Sequence, residues 1–128
     1  MGIRIVRLGS DRTRDEGLRV GTVRRPPRGV RKEDYAKKNL YDVWFPNLSP
    51  SEPVLKEFFP IADDRSWQRF KRKFLAEMKR PEPSRELDLL AALSRQTDFS
   101  VGCYCEEEIF CHRSILRELL ESRGAVII

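Results

Sequence analysis

All three cysteines and the only histidine of the chain lie within ten consecutive residues, from Cys103 to His112. A thiolate can act as a nucleophile or bind a metal, and an imidazole can transfer protons or bind a metal. The stretch therefore predicts either a reactive thiol or a metal site. The structural alternative is that Cys103 and Cys105 are small buried residues at a strand end and that His112 caps a helix.

Cys111 is the first candidate for a reactive thiol. It precedes a predicted helix, so the helix dipole and the neighbouring His112 and Arg113 favour its thiolate. We therefore predict Cys111, His112, Arg113 and Cys105 as catalytic residues. The three glutamates at 106–108 oppose this prediction, because negative charge disfavours both a thiolate and a bound anion. These carboxylates must point away from any site that takes an anion.

The cysteine spacing excludes one class of thiol enzyme and weighs against a metal. A phosphatase-type loop needs an arginine six residues after its cysteine, but Cys111 is sixth after Cys105 and Arg113 is eighth. Cys103, Cys105, Cys111 and His112 could together bind zinc, yet ligand pairs in zinc sites are usually two to four residues apart. Zinc is therefore an alternative, and no cofactor is firmly predicted.

The redox behaviour of the thiols also follows from their spacing. If Cys103 and Cys105 share a regular strand, they lie on one face about 7 Å apart, which is too far for a disulfide. Cys111 follows a five-residue loop that can fold back. We expect Cys105 and Cys111 to be neighbours that form a reversible disulfide or share a metal, with Cys103 buried and inert.

Strands alternate with helices along the chain. The clearest helix covers 66–79, where Trp67, Phe70 and Phe74 form one apolar stripe. The other predicted elements are strands at 3–8, 20–24, 99–104 and 125–128, and helices within 31–39, after Ser51, from Ser84 to about Arg95, and at 113–123. This order predicts an α/β fold, a single domain over 1–128 with a mainly parallel sheet of about four strands and flanking helices.

Two groups of unusual residues follow predicted strands. The cysteine cluster follows the strand at 99–104, and the turn that contains Arg25 and Arg28 follows the strand at 20–24. Ligands of open α/β sheets bind outside the carboxyl ends of strands, beside helix N-termini. We therefore predict a pocket at this edge that binds or acts on a small anionic or nucleotide-like ligand. The predicted ligand-binding residues beside the cysteine cluster are Arg25, Arg28, Trp44 and Ser51.

The charge balance permits a second class of function. Lys and Arg total 25 against 20 Asp and Glu, a formal charge of +5. The basic side of helix 66–79 supports a nucleic-acid-binding protein without catalysis, although acidic residues are interspersed with the basic ones. No segment is apolar over the length of a membrane span, and no secretory signal is visible. We expect free thiols, a cytoplasmic location and no membrane partner, and nothing in the sequence indicates an oligomeric state.

Four motifs in order resemble the family catalogued as domain of unknown function 488, whose members are small bacterial or archaeal proteins. They are RRPPRGVRKEDY, YDVWFPNLSPS, WQRFKRKFLAEM and VGCYCEEEIFCHRSIL, and the resemblance covers nearly the whole chain. It implies a small α/β domain but no reaction. Its motifs imply three functional groups: Arg25 with Arg28 and Gly29, Trp44 with Pro50 and Ser51, and Cys105 with Cys111, His112 and Arg113.

Overall fold

The sheet is parallel throughout, as the sequence predicts. The computed structural model describes residues 1–128. Its strands are β1 (Ile3–Arg7), β2 (Leu18–Gly21), β3 (Val43–Trp44) and β4 (Phe99–Cys103). They are ordered β1-β4-β2-β3, and every neighbouring pair is parallel. The last strand of the chain therefore lies in the middle of the sheet.

Four helices supply most of the hydrophobic core. They are α1 (Glu52–Phe58), α2 (Asp64–Met78), α3 (Pro81–Leu93) and α4 (His112–Ser122), and two short 3-10 helices cover Lys32–Asp34 and Pro46–Leu48. Their buried apolar side chains pack with those of the strands in one cluster of 17 residues. None of these helices combines the length and apolar character that a bilayer-spanning segment requires.

The start of α2 shows how local sequence sets an element. Asp63 accepts a hydrogen bond from the Ser66 backbone, and the Ser66 side chain accepts one from the Asp63 backbone in return. This capping box satisfies backbone donors that would otherwise lack partners. The apolar stripe Trp67, Phe70 and Phe74 is buried, as predicted from its spacing.

Four predicted elements differ from the structure. The strand expected at 20–24 is β2, which ends at Gly21. Helix α3 begins at Pro81 rather than after Ser84, because prolines fit a first helical turn whose N–H groups have no partner inside the helix. The helix expected within 31–39 is only the 3-10 turn, and Asn39 at φ 58° ends that region. The predicted last strand is a single bridge between Ile3 and Ile127.

A second layer covers the opposite face of the sheet. There, two glycines of the central strands leave room for side chains from the segments after β1 and β2. A β-carbon on Gly21 would lie 2.5 Å from the Tyr41 ring, and one on Gly102 would lie 2.8 Å from Leu8. The glycines therefore allow this layer to approach the backbone of the central strands.

Candidate functional site

The thiols of Cys103 and Cys105 meet where β4 ends. Cys103 is the last residue of the strand, and the chain turns at Tyr104. The two sulfur atoms are 3.8 Å apart. The expectation that both cysteines share one regular strand is wrong, because the strand stops at Cys103.

Cys111 and His112 lie at the start of α4. Cys111 is the N-cap residue with extended backbone angles, φ −116° and ψ 144°, and His112 is the first helical residue. The change of backbone conformation between them lets adjacent side chains converge, so Cys111 Sγ lies 3.9 Å from His112 Nδ1. Both residues are buried, Cys111 completely.

The imidazole of His112 is fixed by the backbone of the neighbouring strand. Its Nε2 lies 2.6 Å from the Thr22 carbonyl oxygen, and the Phe74 ring packs against it edge to face. A carbonyl oxygen only accepts hydrogen bonds, so Nε2 carries the proton. In the neutral ring, Nδ1 then has a free lone pair directed to the thiols.

Arg113 is also buried, with 3% of its surface exposed. One terminal nitrogen donates to the Cys105 carbonyl oxygen at 2.9 Å, while Nε has no hydrogen-bond partner. No carboxylate pairs with this guanidinium. A positive charge is therefore held beneath the loop that carries Cys105.

The three thiols affect one another's ionisation. Hydrogen bonding to Cys103 and then to Cys111 lowers the pKa of the Cys105 thiol, and the nearby Arg113 charge lowers it further. Hydrogen bonding with Cys103 and Cys105, together with burial, raises the pKa of Cys111. Negative charge in the cluster is therefore favoured on the half-buried Cys105, whereas the sequence pointed first to Cys111.

The acidic loop between the cysteines is directed away from the cluster. Glu108 receives two hydrogen bonds from Arg117 at 2.7 and 2.9 Å, and the hydrogen bonds from Arg117 lower the pKa of Glu108. Glu106 and Glu107 are exposed. The condition that these carboxylates point away from an anion site is therefore met.

A pocket of about 800 Å³ opens at the carboxyl ends of the strands. Its lining contains no Asp or Glu. The lining residues are Val23, Arg24, Arg25, Pro26, Pro27, Arg28, Val30, Lys38, Leu40, Ser49, Pro50, Leu55, Phe59, Cys103, Tyr104, Cys105 and His112. The arginine turn and the cysteine cluster thus share one pocket, which has cationic and apolar walls.

Four of the predicted site residues line this pocket: Arg25, Arg28, Cys105 and His112. Cys111 and Arg113 lie behind its floor, and Ser51 lies outside it as the N-cap of α1. Trp44 also lies outside. Its indole nitrogen donates to the Val23 carbonyl oxygen at 2.7 Å, and its ring borders a separate groove.

The basic residues around the pocket have different partners. Arg24 donates to the carbonyl oxygens of Ser49 and Pro50, both at 3.0 Å, so it joins the arginine turn to the segment before α1. Arg25 forms a two-pronged ion pair with Glu52. Arg28 and Lys38 form no ion pair. Sequence reasoning missed Lys38, because its segment contacts the pocket only through tertiary folding.

The basic side of α2 is largely paired. Glu57 contacts both Arg69 and Lys73, and Lys71 pairs with Glu118 at 2.9 Å. These contacts reduce the positive charge that a phosphate backbone would meet. The pocket therefore holds the stronger candidate site.

One family model matches the chain from residue 3 to residue 124, and it is described as the active DUF488-N3 subclade. No curated protein and no solved structure matches the chain. The matched region contains all four strands and all four helices. It also contains the arginine turn, the cysteine cluster and the pocket that they line. The chain therefore belongs to the DUF488 family, as the four sequence motifs indicated.

Proposed function

We propose that the pocket binds a small organic anion that also has an apolar or aromatic part. A nucleotide is an example of such a ligand. The observation that carries this proposal is the pocket lining, which has four basic side chains and no carboxylate. A site for a cation or a neutral sugar would not need this excess of basic over acidic side chains. The volume of about 800 Å³ lies within the usual range for small-molecule sites.

Arg28 and Lys38 are the residues assigned to the anionic group. Both are exposed at the pocket rim and free of ion pairs, so their charge is available to a ligand. Arg25 is less available because it already holds Glu52. Val23, Leu55 and Phe59 supply apolar surface for the rest of the ligand.

The floor of the pocket presents thiols and an imidazole to the ligand. Cys103, Cys105 and His112 face it, and Cys105 is the most exposed of the three thiols. Cys105 therefore replaces Cys111 as the thiol assigned to contact the ligand, with His112 beside it.

Calorimetry with AMP, inorganic phosphate and uncharged adenosine tests the binding proposal. AMP should bind more tightly than adenosine, and Lys38→Gln and Arg28→Gln should each weaken AMP about tenfold, since a charged hydrogen bond contributes about 1.5 kcal/mol. Lys37→Gln is the matched control, because Lys37 is exposed in the same segment but does not line the pocket. Equal binding of AMP and adenosine, or an equal loss in the Lys37 variant, would refute the proposal.

A further inference from the structure

Three soft donor atoms converge at the pocket floor. Cys103 Sγ, Cys111 Sγ and a ring nitrogen of His112 all lie within 4.8 Å of one another. They come from the end of β4, the N-cap of α4 and its first turn. Exposure is 7%, 0% and 5% for the three residues, so solvent does not reach the donors freely.

The orientation of His112 suits a metal ligand. Metal-bound histidines usually donate their second ring N–H to a backbone carbonyl or a carboxylate, which fixes the ring and its tautomer. Here Nε2 donates to the Thr22 carbonyl oxygen at 2.6 Å. Nδ1 is left as the unprotonated nitrogen, and it faces Cys111 Sγ at 3.9 Å.

Cys105 Sγ is not part of this group of three, but it is 3.8 Å from Cys103 Sγ, and a rotation of its half-buried side chain would make it a fourth donor. A tetrahedral zinc site with metal–sulfur bonds of about 2.3 Å has sulfur–sulfur edges of about 3.8 Å. Cys103 Sγ and Cys105 Sγ are 3.8 Å apart. The sequence spacing is no obstacle, because β4 ends between these two cysteines and the backbone changes direction between Cys111 and His112.

We infer that Cys103, Cys105, Cys111 and His112 Nδ1 form a binding site for one zinc ion. Three thiolates, one neutral imidazole and Zn²⁺ carry a net charge of −1. The buried Arg113 offsets this charge, since its guanidinium contacts the Cys105 carbonyl and has no carboxylate of its own. The metal accounts for a buried cation that otherwise lacks a partner.

Metal content and cobalt substitution test the inference. The reduced protein, expressed with added zinc, should contain one zinc ion per chain by elemental analysis. The metal-free form should bind one Co²⁺ with thiolate charge-transfer bands and visible bands of tetrahedral cobalt, and added zinc should bleach them. Absence of zinc in the purified protein together with absence of these bands would overturn the inference.

Two variants locate the site. Cys105→Ser, at the half-buried position, should lower the cobalt charge-transfer intensity by about a third, because two thiolates of three remain. Thr22→Val is the matched control, since it removes a neighbouring hydroxyl and keeps the carbonyl that holds His112. A full-intensity band in the Cys105 variant would remove Cys105 from the ligand set. Neither measurement uses AMP, so failure of the anion pocket would leave these results unaffected.

Discussion

Two arginines are almost completely buried, and the structure surrounds them differently. The Arg19 guanidinium pairs with the Glu16 carboxylate and donates to the carbonyl oxygens of Asn39 and Asp11 at 2.6 and 3.2 Å. Ser100 donates to the same carboxylate at 2.8 Å. Arg113 has one hydrogen bond, to the Cys105 carbonyl, and an unpaired Nε.

The two arginines show two ways in which a buried charge is accommodated. Burying an ion is costly unless its donors are satisfied, and the Arg19 network satisfies them with a carboxylate and several oxygens. That network joins β2, β4 and the segment between β1 and β2. Its role is therefore to hold these parts of the fold together. Arg113 keeps an unused donor beside the thiols, and the proposed zinc site would give its charge a counterpart.

The largest expected effect is the loss of Arg19. Arg19→Met leaves the Glu16 carboxylate buried without its counterion, which should lower the free energy of unfolding by about 3 to 5 kcal/mol. Urea denaturation at neutral pH measures this. Arg14→Met is the control, because Arg14 is exposed and should change stability little. A loss below about 1 kcal/mol would show that the network is not structural.

The acid dependence of stability is the next largest effect. Burial raises the pKa of Glu16, but hydrogen bonds from Arg19 and Ser100 outweigh it, so the pKa is lower than usual. The stabilisation is therefore complete above the ordinary carboxyl pKa and is lost as the pH falls through the lowered folded-state value. Glu16→Gln should cost about 2 kcal/mol at neutral pH.

The Glu16 variant should approach the wild type as the pH falls. Urea midpoints measured from neutral to acidic pH would show this convergence. Glu107→Gln should instead run parallel to the wild type, because Glu107 is exposed. A constant gap between the Glu16 variant and the wild type would mean that ionisation of Glu16 does not stabilise the fold.

The smallest effect on stability is expected for Arg113. Arg113→Met removes one hydrogen bond and a buried charge without a carboxylate partner, so the metal-free protein should lose no more than about 1 kcal/mol. The same variant should weaken cobalt binding, since the negative charge of the thiolates is no longer offset. Destabilisation as large as that of Arg19→Met, with cobalt affinity unchanged, would make Arg113 a structural residue like Arg19.

Local patterns in the sequence account for the elements that were predicted well. The stripe of Trp67, Phe70 and Phe74 specifies α2 because its period matches a helix turn. The buried run at 99–103 and the leucines after Ser114 likewise specify β4 and α4. These elements bring the cysteine cluster to a strand end, so the position of the candidate site was predictable.

Features that depend on distant contacts were not predictable. Glu16 and Arg19 lie in a polar stretch whose pattern predicts a loop followed by a strand. Only the folded chain buries the two residues together. The convergence of Cys103 and Cys105 depends on where β4 ends, which the run FSVGCY does not define. Trp44 donates to Val23 rather than facing the pocket, and no local pattern specifies that choice.

The position of β4 has a kinetic consequence. Strands β1 and β2 do not pair with each other, because β4 lies between them and pairs with both. During synthesis, neither pairing can form until residues 99–103 have left the ribosome. Until then, β1 and β2 lack their central partner strand, and their apolar faces are unprotected. Sheets with such distant pairings fold slowly, and the two central pairings of this sheet depend on the last quarter of the chain.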